Sequence, residues 1–210
     1  MTTRGVANAE IGGTPRALSR LVGVTTLAFS ALYFLSDLIE LVQGRFSTPQ
    51  LALTYAAEAA IPFFVMGLYV AQRPRIRLLG LIGALGYAYS FVFFTGTVLF
   101  AMVTGTNDWA ALSDRLGPWV LVHGALMVFA GLAFGLAVIH ANVLPPWTGK
   151  ALIVGVVLVA ASSGLPEVAQ TMAAGVRDLA FAGMGASLLL AHRASTTPAH
   201  PSSEFMAVAR

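Results

Sequence analysis

The chain of 210 residues contains no cysteine. This absence excludes disulfides, thiolate metal sites, iron–sulfur clusters and thiol nucleophiles. Charge is scarce as well: Lys, Arg, Asp and Glu make up 10% of the residues, against about 25% in an ordinary soluble domain. So few charges cannot cover the surface of a 22.0 kDa globule in water. No phosphate loop occurs, and the glycines of the region around Gly80, Gly83 and Gly86 sit inside an apolar run and not after a strand, so nucleotide-driven chemistry is not expected. The His-x-x-x-His and Glu-x-x-His pairs of helical metal sites are also missing. No metal and no cofactor is assigned. The 12 basic residues outnumber the 9 acidic ones, but they fall singly or in one short cluster between apolar segments and form no stripe that would track phosphates, so no nucleic-acid partner is expected.

What the chain has in abundance is apolar sequence: 57% hydrophobic residues and a mean hydropathy of +0.79. The expected fold is all-α, a polytopic membrane protein, because a hydrocarbon core of about 30 Å is crossed by roughly 20 apolar residues of helix. Six segments qualify, near residues 18–43, 51–72, 78–103, 118–141, 150–173 and 175–192. They form one transmembrane domain over 17–193, between tails at 1–16 and 194–210 whose Thr, Ser, Pro, Ala and Gly content predicts disorder. The first tail has no apolar core and is not read as a secretory signal. With the N-terminus inside, Arg4, Arg16, Arg20, Arg73, Arg75, Arg77, Lys150, Arg193 and Arg210 fall on the cytoplasmic side, and Arg45, Arg115 and Arg177 on the other. That asymmetry predicts an N-in, C-in, multi-pass protein of the cell membrane.

Between the fourth and fifth segments stand Leu144, Pro145, Pro146, Trp147, Thr148 and Gly149. This stretch resembles the Leu-Pro-x-Trp-x-Gly connection of a six-span bacterial membrane family catalogued as a domain of unknown function. Span number, topology and short loops extend the resemblance over roughly residues 16–193. It implies a fold and brings no functional residues with it, so the site has to be read from the side chains.

Counting the rise of about 1.5 Å per residue inward from each segment end, ionisable groups gather toward one leaflet. Glu40 and Asp37 lie roughly 5 and 9 Å from the outer end of the first segment, and Glu58 about 10 Å from that of the second. His123 and Glu167 lie roughly 7 Å deep, and Arg177 with Asp178 within about 5 Å of the surface. Intramembrane charges normally face a bundle interior or a wet cavity, so these groups are expected to converge. Asp37 and Glu40, at i and i+3, share a helix face. Desolvation and like-charged neighbours suit Glu58, the deepest, to give or take a proton near neutral pH. Glu58, Asp37, Glu40 and His123 are therefore the candidate catalytic set, with His123 relaying to Glu58 or supporting its charge. His123 has an equal claim to a packing role, and Glu167 to binding backbone freed by Pro166.

Aromatic residues supply the second theme. Tyr87, Phe91 and Phe94 form one stripe on the third segment and Tyr89 with Phe93 another, while Tyr33, Phe34, Tyr55, Phe63, Phe64 and Trp119 stand on its neighbours. Such rings can wall an apolar pocket. Tyr33, Tyr55, Phe63, Tyr87, Phe91, Trp119, Glu167 and Asp178 are the candidate substrate-binding residues. Breaks at Pro62 and at Ser162, Ser163, Gly164 and Pro166 interrupt the second and fifth segments, as in some transporters.

Three readings stay open at this point. The first is an enzyme or binder acting by acid–base chemistry on a lipophilic lipid or isoprenoid. The second is a small ion-coupled transporter, and the third an accessory subunit of a membrane complex. The bilayer is the expected partner in each, with a lipophilic small molecule in the first and a homo-oligomer or larger complex left open.

Overall fold

A computed structural model describes residues 16–194. The expected tails lie outside the described residues, except that Arg16 and Ala194 belong to the first and last helices. The described chain is entirely helical: α1 Arg16–Gln43, α2 Thr48–Ala71, α3 Arg77–Thr104, α4 Trp109–Leu116, α5 Pro118–Ala141, α6 Pro146–Ala161 and α7 Glu167–Ala194. Five of these, α1, α2, α3, α5 and α7, are long and apolar enough to cross a membrane. With 16 residues, α6 is about 24 Å long, short of the roughly 30 Å hydrocarbon thickness.

Local chemistry sets the helix ends. Prolines enter the first turns of α2, α5 and α6, where a missing N–H costs nothing. Gly105 closes α3 in the left-handed region. The Asp108 carboxylate accepts from the Ala111 N–H at 2.8 Å and so starts α4.

Consecutive long helices run antiparallel and close into a ring in the order α1, α2, α3, α5, α6, α7 and back to α1. One end of the ring carries α4 and the α1–α2 and α6–α7 connections; we call it the α4 end. The other, the terminal end, carries the outer ends of α1 and α7. Small residues allow the close contacts, as expected for helices packing in lipid. A Cβ on Gly83 would lie 2.5 Å from the backbone nitrogen of Phe134. One on Gly155 would lie 2.6 Å from the Cα of Arg177.

The terminal half of the ring buries apolar side chains, among them Val65, Leu68, Phe134, Leu152, Met184 and Leu188, together with the polar Ser19, Thr26, Gln72 and Thr148. The buried Glu, His, Arg and Asp side chains among the described residues, Glu58, His123, Arg177 and Asp178, stand nearer the α4 end.

Two expected breaks take other forms. Helix α2 runs unbroken through Pro62. Proline has no N–H to offer the carbonyl four residues earlier, and here that carbonyl belongs to Glu58. The second break is a connection. Gly164 turns with φ +87 and Pro166 cannot continue a helix, so α6 stops at Ala161 and α7 starts at Glu167. The expected fifth and sixth segments, 150–173 and 175–192, are thus redivided: the last turns of the fifth belong to α7.

Candidate functional site

The new boundary changes where three site residues stand. Tyr33 lies ten residues before the end of α1, Glu58 ten after the start of α2, and Arg177 ten after the start of α7. All three helix ends are at the α4 end, so the three residues share one level, about 15 Å inside the bundle. At that level Tyr33 Oη donates to Glu58 Oε1 at 2.7 Å. Arg177 Nε donates to Asp178 Oδ1 at 2.9 Å, the one ion pair among the described residues. The guanidinium carbon of Arg177 sits 4.8 Å from the centroid of the Tyr33 ring and 5.9 Å from that of Phe91, a desolvated cation–π arrangement. Tyr87 stacks at a tilt on Phe91, with centroids 5.1 Å apart, and interacts electrostatically with Arg177 and Asp178.

The cluster is deeply buried: Glu58, Arg177 and Asp178 are each 5% exposed. Four of its polar atoms nevertheless have no protein partner, namely Glu58 Oε2, Tyr87 Oη, Arg177 Nη2 and Asp178 Oδ2. Buried polar groups in proteins are almost always paired, and in a membrane interior an unpaired one costs several kcal/mol. The atoms on Glu58, Arg177 and Asp178 lie near one level, with Tyr87 Oη deeper along α3 and in electrostatic range of Arg177 and Asp178. Unpartnered buried polar atoms occur elsewhere too, on Ser19, Ser30, Gln50 and Gln72. Asp37, one turn along α1 from Tyr33, adds a third carboxyl in electrostatic range of Glu58, Arg177, Asp178 and Glu40.

A polar seam joins this cluster to the α4 end between α1 and α2. Gln50 Nε2 donates to Glu40 Oε2 at 3.0 Å, to Thr54 Oγ1 at 3.0 Å and to Ser36 Oγ at 3.3 Å, and the Ser36 and Thr54 hydroxyls bond at 2.5 Å. The pairs Glu40–Gln50, Ser36–Thr54 and Tyr33–Glu58 are successive rungs. The spacing of four on α2 (50, 54, 58) keeps all three on one helix face.

Other expected residues are placed elsewhere. His123 does not serve Glu58: its ring stacks on Phe93 at 3.8 Å between centroids and on Tyr89 at 5.7 Å, and its Nδ1 bonds the Trp119 carbonyl at 2.9 Å. The second aromatic stripe of α3 is thus what holds the histidine. Tyr55, Phe63 and Trp119 are 37%, 80% and 62% exposed and line no shared wall with Glu58. Tyr33, Tyr87 and Phe91 do surround the cluster. Glu167 is an exposed first residue of α7, in electrostatic range of Glu40. Arg177 and Asp178 are not surface groups but the centre of the site.

Sequence reasoning missed Arg177 as a site residue and Tyr33 as the donor to Glu58. The signal for the first was Pro166: taken as a helix start, it places Arg177 at the depth of Glu58. Among the described residues no group of three or more His, Cys, Asp or Glu side chains is arranged to hold a metal ion.

Compared with known proteins, the chain matches no family model, no curated protein and no solved structure.

Proposed function

We propose that this membrane protein binds a lipophilic small molecule with a polar end, and that Glu58 acts on that end as acid or base. The observation that carries this reading is the set of four unpartnered buried polar atoms on Glu58, Tyr87, Arg177 and Asp178, beside the rings of Tyr33 and Phe91. Arg177 Nη2 and Tyr87 Oη donate to a carbonyl or hydroxyl oxygen, Asp178 Oδ2 accepts a proton-bearing group, and Glu58 Oε2 is placed for proton transfer. Tyr33, bonded to the other oxygen of Glu58, fixes the carboxyl. An apolar tail is at home among the aromatic rings and the lipid beyond them.

In this reading the chain spans the cell membrane six times, N-in and C-in, with α6 as the short sixth span and the α4 end outside. The basic residues between the helices support that orientation. The transporter alternative drew on breaks in the second and fifth segments and on the same acids as coupling sites, and the unbroken α2 removes one of the breaks.

The test is retention of three probes, a short-chain isoprenoid quinone, an isoprenoid alcohol and a fatty acid, by delipidated protein in native mass spectrometry. Wild type is expected to keep at least one of them, and Glu58→Gln and Arg177→Gln to lose it. Equal retention by wild type and both variants, or retention of none, contradicts the proposal.

A further inference from the structure

We propose that the connection between α2 and α3 binds the headgroup of an anionic membrane phospholipid, held by Arg73, Arg75 and Arg77 with Arg20 of α1 beside them. The site lies at the terminal end of the bundle and shares no residue with the buried cluster.

The connection is a fixed frame for its arginines. Ile76 is buried in the core and packs against Gly80. Gln72 is fully buried, its Nε2 donates to the Leu68 carbonyl at 3.0 Å, and its own carbonyl accepts from the Ile76 N–H at 3.2 Å. With Gln72 and Ile76 turned in, Arg73, Arg75 and Arg77 are exposed around them. Arg73 Nη1 donates to the hydroxyl of the buried Tyr69 at 3.2 Å, which ties that guanidinium to α2. Arg77 holds φ +54, a left-handed conformation that favours glycine. The chain thus keeps a charged side chain where the backbone alone would be easier without one.

No carboxylate among the described residues neutralises this charge. The one ion pair among them is Arg177 with Asp178, and every Asp and Glu they include lies in the half toward the α4 end. A Cβ on Gly67 would lie 2.6 Å from a methyl of Val22. From that contact between neighbouring helices Arg20 and Arg73 both lie toward the terminal end, so the exposed Arg20 adds a fourth cation on the same side of the ring. Guanidinium groups suit phosphate oxygens because their N–H donors bond two at a time. The surroundings give the source of the phosphate. Leu18 and Leu21 next to Arg20, and Leu78 and Leu79 next to Arg77, are exposed, and on a membrane protein such side chains meet acyl chains. Cations at the helix ends above apolar side chains match a lipid with a negative headgroup above its tails.

Native mass spectrometry of the full chain tests this with dioleoyl phosphatidylglycerol and dioleoyl phosphatidylcholine, which share their tails and differ in net charge. Wild type is expected to retain phosphatidylglycerol in preference by about tenfold or more, as several basic residues at a membrane surface provide. The triple variant Arg73→Gln, Arg75→Gln, Arg77→Gln is expected to lose the preference. The triple variant Arg45→Gln, Arg115→Gln, Lys150→Gln removes as much charge elsewhere and is expected to keep it. Arg77→Gly separates charge from folding: it relieves the left-handed residue, so thermal stability holds or rises while the preference falls by about fivefold. The proposal is overturned by equal retention of the two lipids by wild type, by a preference that survives in the first triple variant, or by an equal loss in the second. Displacement of the lipid by inorganic phosphate but not by chloride at the same ionic strength also overturns it, because the connection would then take a free anion.

Discussion

The hydroxyl of Tyr33 donates to Oε1 of Glu58 at 2.7 Å, joining α1 to α2 about 15 Å inside the bundle. This one bond fixes the carboxyl, which lies in electrostatic range of Arg177. Tyr33→Phe keeps the ring beneath the Arg177 guanidinium and removes only the donor. We expect a loss of about 1 kcal/mol in unfolding free energy, the usual scale for a hydrogen bond between membrane helices, measured by denaturant titration in mixed micelles. No loss of stability and no change in probe retention would show that the bond neither holds nor orients Glu58.

Arg177 and Asp178 are adjacent in sequence and paired within the interior. Removing one partner leaves the other charge uncompensated, which costs about 3–5 kcal/mol at buried sites. Arg177→Met is therefore expected to be strongly destabilising, and Arg177→Met with Asp178→Leu to recover a large part of the loss. A double-mutant cycle reads this directly. Additive losses in the two single variants contradict the pairing.

The close approach of α6 to α7 at the site needs Gly155. A methyl group there meets the Arg177 backbone, so Gly155→Ala must push α6 outward and shift the guanidinium. The expected cost is about 1–3 kcal/mol, together with weakened probe retention. Gly96→Ala is the control. It has open space around the added methyl and is expected to be neutral or slightly stabilising, since alanine is favoured over glycine in a helix by about 1 kcal/mol. Thermal unfolding of both variants decides the matter, and equal effects would contradict the packing argument.

His123 is held by stacking on Phe93 and by the Trp119 carbonyl. His123→Phe preserves the stack, and we expect probe retention within about twofold of wild type, a difference of less than 1 kcal/mol in binding. A loss comparable to that of Glu58→Gln would return the histidine to the site.

Much of the fold could be read from the sequence, because long apolar runs declare helices of membrane length and short loops force neighbours to be antiparallel. Helices α1, α2, α3 and α5 fall close to where hydropathy places them. The last two segments do not, since hydropathy carries on across Ser162–Pro166 while the backbone cannot. That single boundary hid the site, because the depth of Arg177 follows from where its helix starts. The candidate acids Asp37, Glu40 and Glu58 stood out as charges within apolar sequence. Which of them meet was not legible, for Tyr33, Tyr55, Tyr87, Tyr89 and Trp119 have the same composition signal. Helical phase separates them: Tyr87 and Phe91 turn inward, while Tyr89 and Phe93 turn to His123. Pro62 read as a break, yet its neighbours carry α2 through it, and its consequence is local to the carbonyl of Glu58.

The most direct test is photolabelling with an isoprenoid alcohol carrying a diazirine next to its polar end, followed by mass-spectrometric mapping of the adducts on wild-type protein in nanodiscs. The account predicts adducts on Tyr33, Glu58, Phe91 or Asp178, suppressed by excess unlabelled isoprenoid and absent from Arg177→Gln. Adducts confined to exposed residues such as Phe63, Leu121 and Phe129, unaffected by competitor, would contradict it and leave the buried cluster without a ligand.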